Sequence, residues 1–459
     1  MRFSVLTLGC KTNQYDTGTI ADILHEHGFL RVKPGDGSDV CIVNTCAVTA
    51  ESVRKSKQAV RRIKRLEPYA LIAVCGCFSE LDNSAAAQLE ADIIGGARDR
   101  EEFANKIVKA VSSKTSLQKS NTLEQSQKDC TQTQKGRTQT PKGRTQTQKG
   151  RTQTPKGRTR PLIKIQDGCD NNCAYCIIPA LRGHSRSVSP KELAKRAKKL
   201  QESGCKEIII TGIEISSYKF GSPLPSEPLG EGSDQKDAYD LIDAVRVIST
   251  AAPGARLRLG SLDPRILTDG FIKRLAEIPS LCNHFHISLQ SGCDETLKEM
   301  GRGYTTSHVY NAIVKLAKTF SNCAVTADLI VGFPGETDAQ FEKTLDFIIK
   351  AGFARIHIFP YSPRPGTKAA GMKSQIEKTV IRQRAKIAGE TAARLADKYR
   401  RAQIGMTLAV LFEQQKGNCA IGHASNYMKV AVHGKITKNT IENIEISSIK
   451  DDMLFGKIV

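Results

Sequence analysis

The sequence predicts an α/β protein in three parts: an N-terminal doubly wound parallel sheet, a central (β/α)6 partial barrel of the TIM-like kind, and a small C-terminal all-β, OB-like barrel. Three observations predict it. Short apolar strands alternate with helical stretches on both sides of residues 114–160, which is the pattern of parallel sheets. That interval differs in composition from everything around it. Residues 404–459 lose the alternation and keep only strand patterns.

Residues 2–9 read as a strand, Thr17 to His27 as a helix, Val40 to Asn44 as an apolar strand, and the basic stretch Glu51 to Leu66 as a helix. Leu71 to Val74 and Asp92 to Ile94 complete the first sheet, in a domain spanning 1–113. From Thr131 a seven-residue unit repeats four times, TQTQKGR alternating with TQTPKGR. No apolar residue is available there for a core, so 114–160 is expected to be a disordered basic linker. A basic arm laid on RNA backbone is its functional alternative.

Beyond the linker, strands begin near Leu162, Glu207, Arg256, His284, Val325 and Arg355. Each is followed by a helical pattern, such as Pro190 to Gln201 or Asp338 to Lys350. Six such units suggest a barrel over 161–403 with its site at the strands' C-terminal ends, closed by the basic helical stretch Gln375 to Gln403. Thr407 to Glu413 and Tyr427 to His433 read as strands of a small barrel over 404–459. Such barrels commonly bind oligonucleotides; a cap without a ligand is the alternative.

A chain of 459 residues is too long for one ordinary domain, and 25% charged with 39% hydrophobic residues is the balance of a globular protein. Of the net charge of +21, nine Lys or Arg and no acid fall within residues 131–160, leaving +12 for the rest. That excess favours a polyanionic partner, nucleic acid first. The opening MRFSVLTLGC reads as a strand and not as a secretory leader. No segment approaches the ~20 apolar residues of a membrane span. The chain is therefore expected in the cytoplasm, where its fourteen cysteines stay reduced and clustered ones act as metal ligands.

Cys169, Cys173 and Cys176 follow the strand Leu162 to Gln166 and the turn Asp167-Gly168, in the first loop at the catalytic face of the barrel. Three thiolates this close can bind three irons of a 4Fe–4S cube and leave the fourth open. Zinc is the rival metal, but structural zinc wants four ligands, and His184 is the only further Cys or His nearby. A second group ends three strands of the first domain: Cys10 after the first, Cys46 after VCIVN, and Cys77 after LIAVC, with Cys75 competing for the third place. Ligands of an open parallel sheet gather outside the carboxyl ends of its strands, so these thiols can converge on one site. Gly76 permits a tight turn before Cys77. Cys41 reads as a buried packing residue, and Cys130, Cys205, Cys282, Cys293, Cys323 and Cys419 as packing or incidental ones.

The loop C-x-x-x-C-x-x-C resembles that of the radical S-adenosylmethionine superfamily, and the whole chain apart from the linker resembles its methylthiotransferases. The resemblance is carried by TLGCKTNQYD (7–16), NTCAV (44–48), GCFSE (76–80), IQDGCDNNCAYCIIPALRGHSRS (165–187), HISLQSGCDETLKEMGRGYT (286–305), DLIVGFPGET (328–337) and FPYSPRPGTKAA (359–370). It implies two 4Fe–4S clusters, S-adenosylmethionine, and a C-terminal TRAM domain. In the family's third motif the ligand follows Gly directly, which selects Cys77 for the auxiliary cluster with Cys10 and Cys46. The resemblance places an adenine contact at Tyr175 and a methionyl contact at the strand end around Gly212 and Glu214. Ser261 and Gln290 end the next two strands and face the same mouth; capping is their alternative role. Gly332 and Gly335 read as turn residues. Phe78-Ser79-Glu80 departs from the family's aromatic-Ala-Gln run, with an expected effect on packing and none on ligation.

Within the family, GCKTNQYD and FPYSPRPGTKAA resemble the branch acting on N6-threonylcarbamoyladenosine at position 37 of tRNA. The isopentenyladenosine branch and the ribosomal-protein branch carry other residues after Gly-Cys. The implied reaction uses one S-adenosylmethionine to methylate a sulfur on the auxiliary cluster and a second to generate the radical that activates adenine C2. The implied partners are the tRNA anticodon loop, met by the helix at 375–403 and the C-terminal domain, and a low-potential donor such as flavodoxin or ferredoxin. The enzyme is expected to act as a monomer. A non-catalytic, metal-stabilised RNA-binding protein is the rival from another class.

Overall fold

The computed structural model describes residues 1–129, 158–221 and 238–459; the TQT[QP]KGR repeats and Cys130 lie outside the described residues. The chain divides into two compact units, 1–47 with 51–158 and 48–50 with 159–459.

The first unit contains β1 (Arg2–Thr7), α1 (Lys11–Glu26), β2 (Leu30–Arg31), β3 (Val40–Thr45), α2 (Ala50–Leu66), β4 (Leu71–Gly76), α3 (Cys77–Leu81), α4 (Asn83–Ala87), β5 (Ile93–Ile94) and α5 (Arg100–Asp129). Its sheet is wholly parallel in the order β2-β1-β3-β4-β5. The central strand VCIVNT is buried at every position, as a strand covered on both faces must be. One core face joins Phe3, Ile20, Leu24, Ile42, Phe103 and Ile107.

Two boundaries differ from the sequence expectation. Helix α1 begins at Lys11, well before Thr17, because Thr12, Asn13 and Asp16 are buried polar residues that hide the apolar period. Helix α5 continues past Lys114 to Asp129, through a stretch in which the good helix formers Gln, Lys and Leu recur.

The second unit carries β6 (Leu162–Lys164), β7 (Gln166–Asp167), α6 (Ile178–Arg182), β8 (Arg186–Ser187), α7 (Pro190–Glu202), β9 (Glu207–Thr211), α8 (Leu241–Ala251), β10 (Arg256–Leu259) and β11 (Ser261–Leu262). It continues through α9 (Asp269–Ala276), β12 (His284–Gln290), α10 (Asp294–Glu299), α11 (Thr306–Thr319), β13 (Ala324–Val331), α12 (Asp338–Ala351), β14 (Arg355–Pro360) and α13 (Lys378–Arg401). The parallel sheets β10-β9-β6 and β11-β12-β13-β14 meet at Gly260, where an added Cβ would lie 3.0 Å from the Ile210 carbonyl oxygen. Together they form the open (β/α)6 barrel. Ile208, Ile210, Leu257, Phe285, Ile287, Ala327 and Leu329 pack outward against the helices. Intervening residues of each strand therefore face the lumen. Helices α11 and α12 start at the capping boxes of Thr305 and Thr337.

The remaining strands, β15 (Thr407–Lys416), β16 (Cys419–Ala424), β17 (Lys429–His433), β18 (Ile441–Lys450) and β19 (Met453–Ile458), close into a five-stranded barrel ordered β15-β16-β17-β19-β18. Val410, Phe412, Val430, Ile444 and Leu454 fill it. It docks on the (β/α)6 barrel through arginine forks: Arg256 donates to the Ala409 and His423 carbonyls at 2.9 and 2.8 Å, and Arg258 to the Ser425 carbonyl at 2.8 Å. Among the described residues, no helix is long and apolar enough to cross a membrane.

Candidate active site

The three-cysteine loop is built by local constraints. Strands β7 and β8 pair antiparallel and pinch residues 168–185 into a closed loop. Gly168 sits at φ +75°, and a Cβ there would lie 1.9 Å from the His184 carbonyl oxygen, so only glycine fits. The Cys169 amide donates to the Gly183 carbonyl at 3.0 Å and the Cys176 amide to the Cys173 carbonyl at 3.0 Å. Ala174 is anchored on both sides, to the Met300 carbonyl at 2.9 Å and from the Ala369 amide at 2.8 Å.

Burial pushes the Cys176 thiol up to about 12 and raises Cys169, and the neighbouring sulfurs add to both. Such thiols lose their protons on binding a cation. His184 pairs with Asp170 at 2.7 Å and its ring is 97% exposed, so the loop offers three sulfurs and no fourth buried ligand. That donor set fits a 4Fe–4S cluster with one iron free of protein and does not fit a closed structural zinc site.

Three residues that the sequence reading passed over organise this loop. Gln166 is fully buried; its amide nitrogen donates to the Gly168 carbonyl at 2.8 Å and to Ser185 Oγ at 2.9 Å, while its oxygen accepts from the Ile213 and Glu214 amides at 3.1 and 2.9 Å. It ties the cysteine loop to the end of β9. Arg302 Nη1 lies 3.2 Å from Cys173 Sγ, and Nη2 donates to Asp263 at 2.9 Å. Asp263, itself buried, also accepts from Arg265, which reaches Asn171 in the loop at 3.0 Å. Burial would lower Arg302, but Tyr304, Tyr175, Cys173 and Asp263 more than compensate and keep it cationic. Arg302 belongs to the GRGYT motif and Asp263 directly follows a strand end, which were the signals available for them.

The other expected contact residues lie at this same mouth. Gly212 and Glu214 follow β9, and a Cβ on Gly212 would come 2.9 Å from the Gln166 carbonyl. Glu214 accepts from the Ser216 amide at 3.2 Å, capping a short 3₁₀ turn. Burial raises its carboxyl, with nearby Asp263 adding to the effect. Ser261 opens β11 and is exposed. Gln290 ends β12 at φ +66°, beyond a break in register with β13. Tyr175 packs beside Met300, Phe333, Tyr361 and Ala369. Gly332 and Gly335 take φ +75° and +83°, the turn geometry expected of them.

In the first unit, the strand order reverses between β1 and β3, which opens a crevice at their carboxyl ends. Cys10 follows β1, Cys46 follows β3, and Cys77 starts α3 after β4. A Cβ on Gly9 would lie 2.9 Å from Cys46 Cβ and 3.1 Å from its sulfur, so the Cys10 turn rests directly on Cys46. Asn13, fully buried, donates to the Leu8 and Thr45 carbonyls, both at 2.9 Å, and Asn44 donates to the Asn13 carbonyl at 2.9 Å. These two asparagines, to which the sequence reading gave no structural role, clamp the first two cysteine turns together. Gly76, at φ +102°, turns the chain against Thr45. Cys75 lies in the apolar core with Phe3 and Ile42, on the opposite side of β4 from its neighbours. Ser79 Oγ lies 2.7 Å from the Gly95 carbonyl, to which it donates, and 3.1 Å from that of Gly76, so the departure at 78–80 supplies a local hydrogen bond.

Comparison with known proteins agrees with this geometry. Residues 163–348 match the Radical SAM superfamily, and residues 2–96 match the family described as "Uncharacterized protein family UPF0004". The chain is 34% identical over 441 residues to the threonylcarbamoyladenosine tRNA methylthiotransferase MtaB of Bacillus subtilis, covering 93% of this chain and 89% of that protein. It is 30% identical over 461 residues to the tRNA-2-methylthio-N(6)-dimethylallyladenosine synthase of Campylobacter jejuni, covering 99% and 98%. The fold is similar to that of the radical S-adenosylmethionine methyltransferase TsrM from Kitasatospora setae, with a TM-score of 0.54 at 13% identity over 86% of this chain and 89% of that one. The chain is an enzyme and belongs to the radical S-adenosylmethionine methylthiotransferase family.

Proposed function

We propose that the enzyme transfers a methylthio group to C2 of N6-threonylcarbamoyladenosine at position 37 of tRNA, using S-adenosylmethionine and two 4Fe–4S clusters. The observation that carries the reading is the pair of thiol sets at strand carboxyl ends, one in each unit. Cys169, Cys173 and Cys176 would hold the cluster that supplies an electron for cleavage of S-adenosylmethionine. Cys10, Cys46 and Cys77 would hold the auxiliary cluster. Tyr175, Gly212, Glu214, Ser261 and Gln290 would line the cofactor at the barrel mouth, with Gln166 holding the Ile213 and Glu214 amides in place.

The target base must leave the anticodon stack to reach that mouth. Exposed Lys378, Arg382 and Lys386 on α13, with the C-terminal barrel, would meet phosphates, and binding would weaken as salt rises. Part of the charge on α13 is unavailable for this: Arg384 is buried on Glu336 at 2.8 Å, and Arg400 pairs with Asp452 at 2.7 Å. The enzyme would work in the cytoplasm as a monomer, reduced by a flavodoxin or ferredoxin.

Relatives named for threonylcarbamoyladenosine and for dimethylallyladenosine both align over the chain. The run Lys11-Thr12-Asn13-Gln14, which opens α1 after Cys10, favours the former. Nucleoside mass spectrometry of tRNA from a deletion strain tests the choice. Loss of the methylthio form of threonylcarbamoyladenosine alone is expected; loss of the dimethylallyl form instead would reassign the substrate.

A further inference from the structure

Apart from the cysteines, three side chains on adjacent strands of the (β/α)6 barrel come together in its lumen. They are His286 on β12, Asp328 on β13 and His357 on β14. Among the described residues, this is the one group of His, Cys, Asp or Glu whose ligand atoms all lie within 4.8 Å of one another. Ile287, Ala327 and Ile356, their chain neighbours, point the other way into the core beneath the helices. The strands thus fix the three groups on one face. Asp328 is the register partner of His357, and His286 pairs with Thr326 two residues before Asp328.

His286 Nε2 lies 3.2 Å from one oxygen of Asp328, and His357 Nδ1 lies 3.2 Å from the other. Both imidazoles therefore aim a ring nitrogen at one carboxylate. The second nitrogen of His286 is engaged as well: Nδ1 is 2.8 Å from Thr326 Oγ1, which is also 3.1 Å from His284 Nε2. The Thr326 hydroxyl has a single proton to share between these rings. When Thr326 gives that proton to His284, His286 Nδ1–H donates to Thr326 Oγ1 and His286 Nε2 presents a bare lone pair toward Asp328. In the other tautomer Thr326 donates to His286 Nδ1 and His286 Nε2–H donates to Asp328, which needs no ion. A metal ion takes the first tautomer, with Thr326 Oγ1 accepting from Nδ1–H behind it.

We propose that His286, Asp328 and His357 bind a divalent first-row transition metal ion in the barrel lumen, separate from both cysteine sites. Two imidazoles and one carboxylate suit zinc or iron(II), and three protein ligands leave positions open to water or a ligand oxygen. The His286 ring is 14% exposed, Asp328 25% and His357 45%, a gradient that gives an ion an entry path from the lumen side. His286 lies four residues before Gln290, roughly 13 Å down the strand from the proposed cofactor mouth. The proposal does not depend on which tRNA nucleoside the enzyme modifies.

The test uses full-length, cluster-loaded protein dialysed anaerobically against zinc. Zinc per chain is measured by mass spectrometry, and its ligands by X-ray absorption at the zinc edge. One zinc per chain with a nitrogen and oxygen shell is expected. Asp328→Asn and His357→Ala should lose it with iron content unchanged, and Thr326→Val should weaken binding by about 10- to 100-fold. His357 is exposed enough that its removal leaves the core intact. Absence of retained zinc, equal retention by the variants, or a sulfur-dominated shell would each overturn the site.

Discussion

The guanidinium of Arg302 stands 3.2 Å from the sulfur of Cys173 and is held there by Asp263 and Tyr304 at 2.9 Å each. An N–H donor and a positive charge beside a ligand sulfur both stabilise the more negative, reduced state of an iron–sulfur cluster. Arg302→Gln should therefore move the midpoint potential of the barrel cluster to more negative values, and Arg302→Lys should move it less. A redox titration followed by electron paramagnetic resonance checks this. An unchanged potential in Arg302→Gln would show that the contact only positions the loop.

Cys176→Ala removes one of the three sulfurs of the loop, and cleavage of S-adenosylmethionine should fall to background. The measurement is release of 5′-deoxyadenosine by chromatography. Retained cleavage would sink the assignment of this loop.

Cys77→Ala and Cys75→Ala, one residue apart across Gly76, should behave oppositely. The first should cost one cluster's worth of iron while the barrel cluster survives. The second trims a side chain in the core with Phe3 and Ile42, so it should lower the melting temperature and leave iron content alone. Iron analysis beside thermal unfolding separates them, and iron loss in Cys75→Ala would reverse the ligand choice.

Glu207 is fully buried among Arg258, Arg256 and Arg160, at 2.7, 2.6 and 3.9 Å. Burial alone would raise its carboxyl, but the arginines reverse this and hold it at about 2 instead of 4.5. A folded value below the unfolded one means that the stabilisation is complete above about pH 4.5 and is lost as pH falls toward 2. It is worth roughly 3 kcal/mol. Because the same arginines grip the Ala409, His423 and Ser425 carbonyls, acid should loosen the C-terminal barrel first. Glu207→Gln should destabilise the unit by about 3–5 kcal/mol by stranding buried positive charge. Limited proteolysis across pH 2–6 should report release of the C-terminal barrel in step with this loss.

Much of the fold was legible in the sequence because its signals are local. Buried parallel strands such as VCIVNT are continuous apolar runs, and the (β/α) alternation around them needs no long-range information. The cysteine loop was legible for the same reason: Gly168 and the spacing of Cys169, Cys173 and Cys176 lie within a few residues of one another. The start of α1 was not, since Thr12, Asn13 and Asp16 owe their burial to strand ends elsewhere in the chain. That Cys75 points into the core with Phe3 and Ile42 depends on which side of β4 is covered, which no local pattern shows. Gln166, Asp263 and Arg302 gain their roles by reaching across the barrel mouth, over separations from 39 to 129 residues. The lumen triad of His286, Asp328 and His357 exists only because three strands pair in register. The sequence by itself thus determined the elements and the ligand types, which are set by short-range pattern and side-chain chemistry. Tertiary structure decided which groups meet, because strand pairing and loop closure bring distant residues within bonding distance.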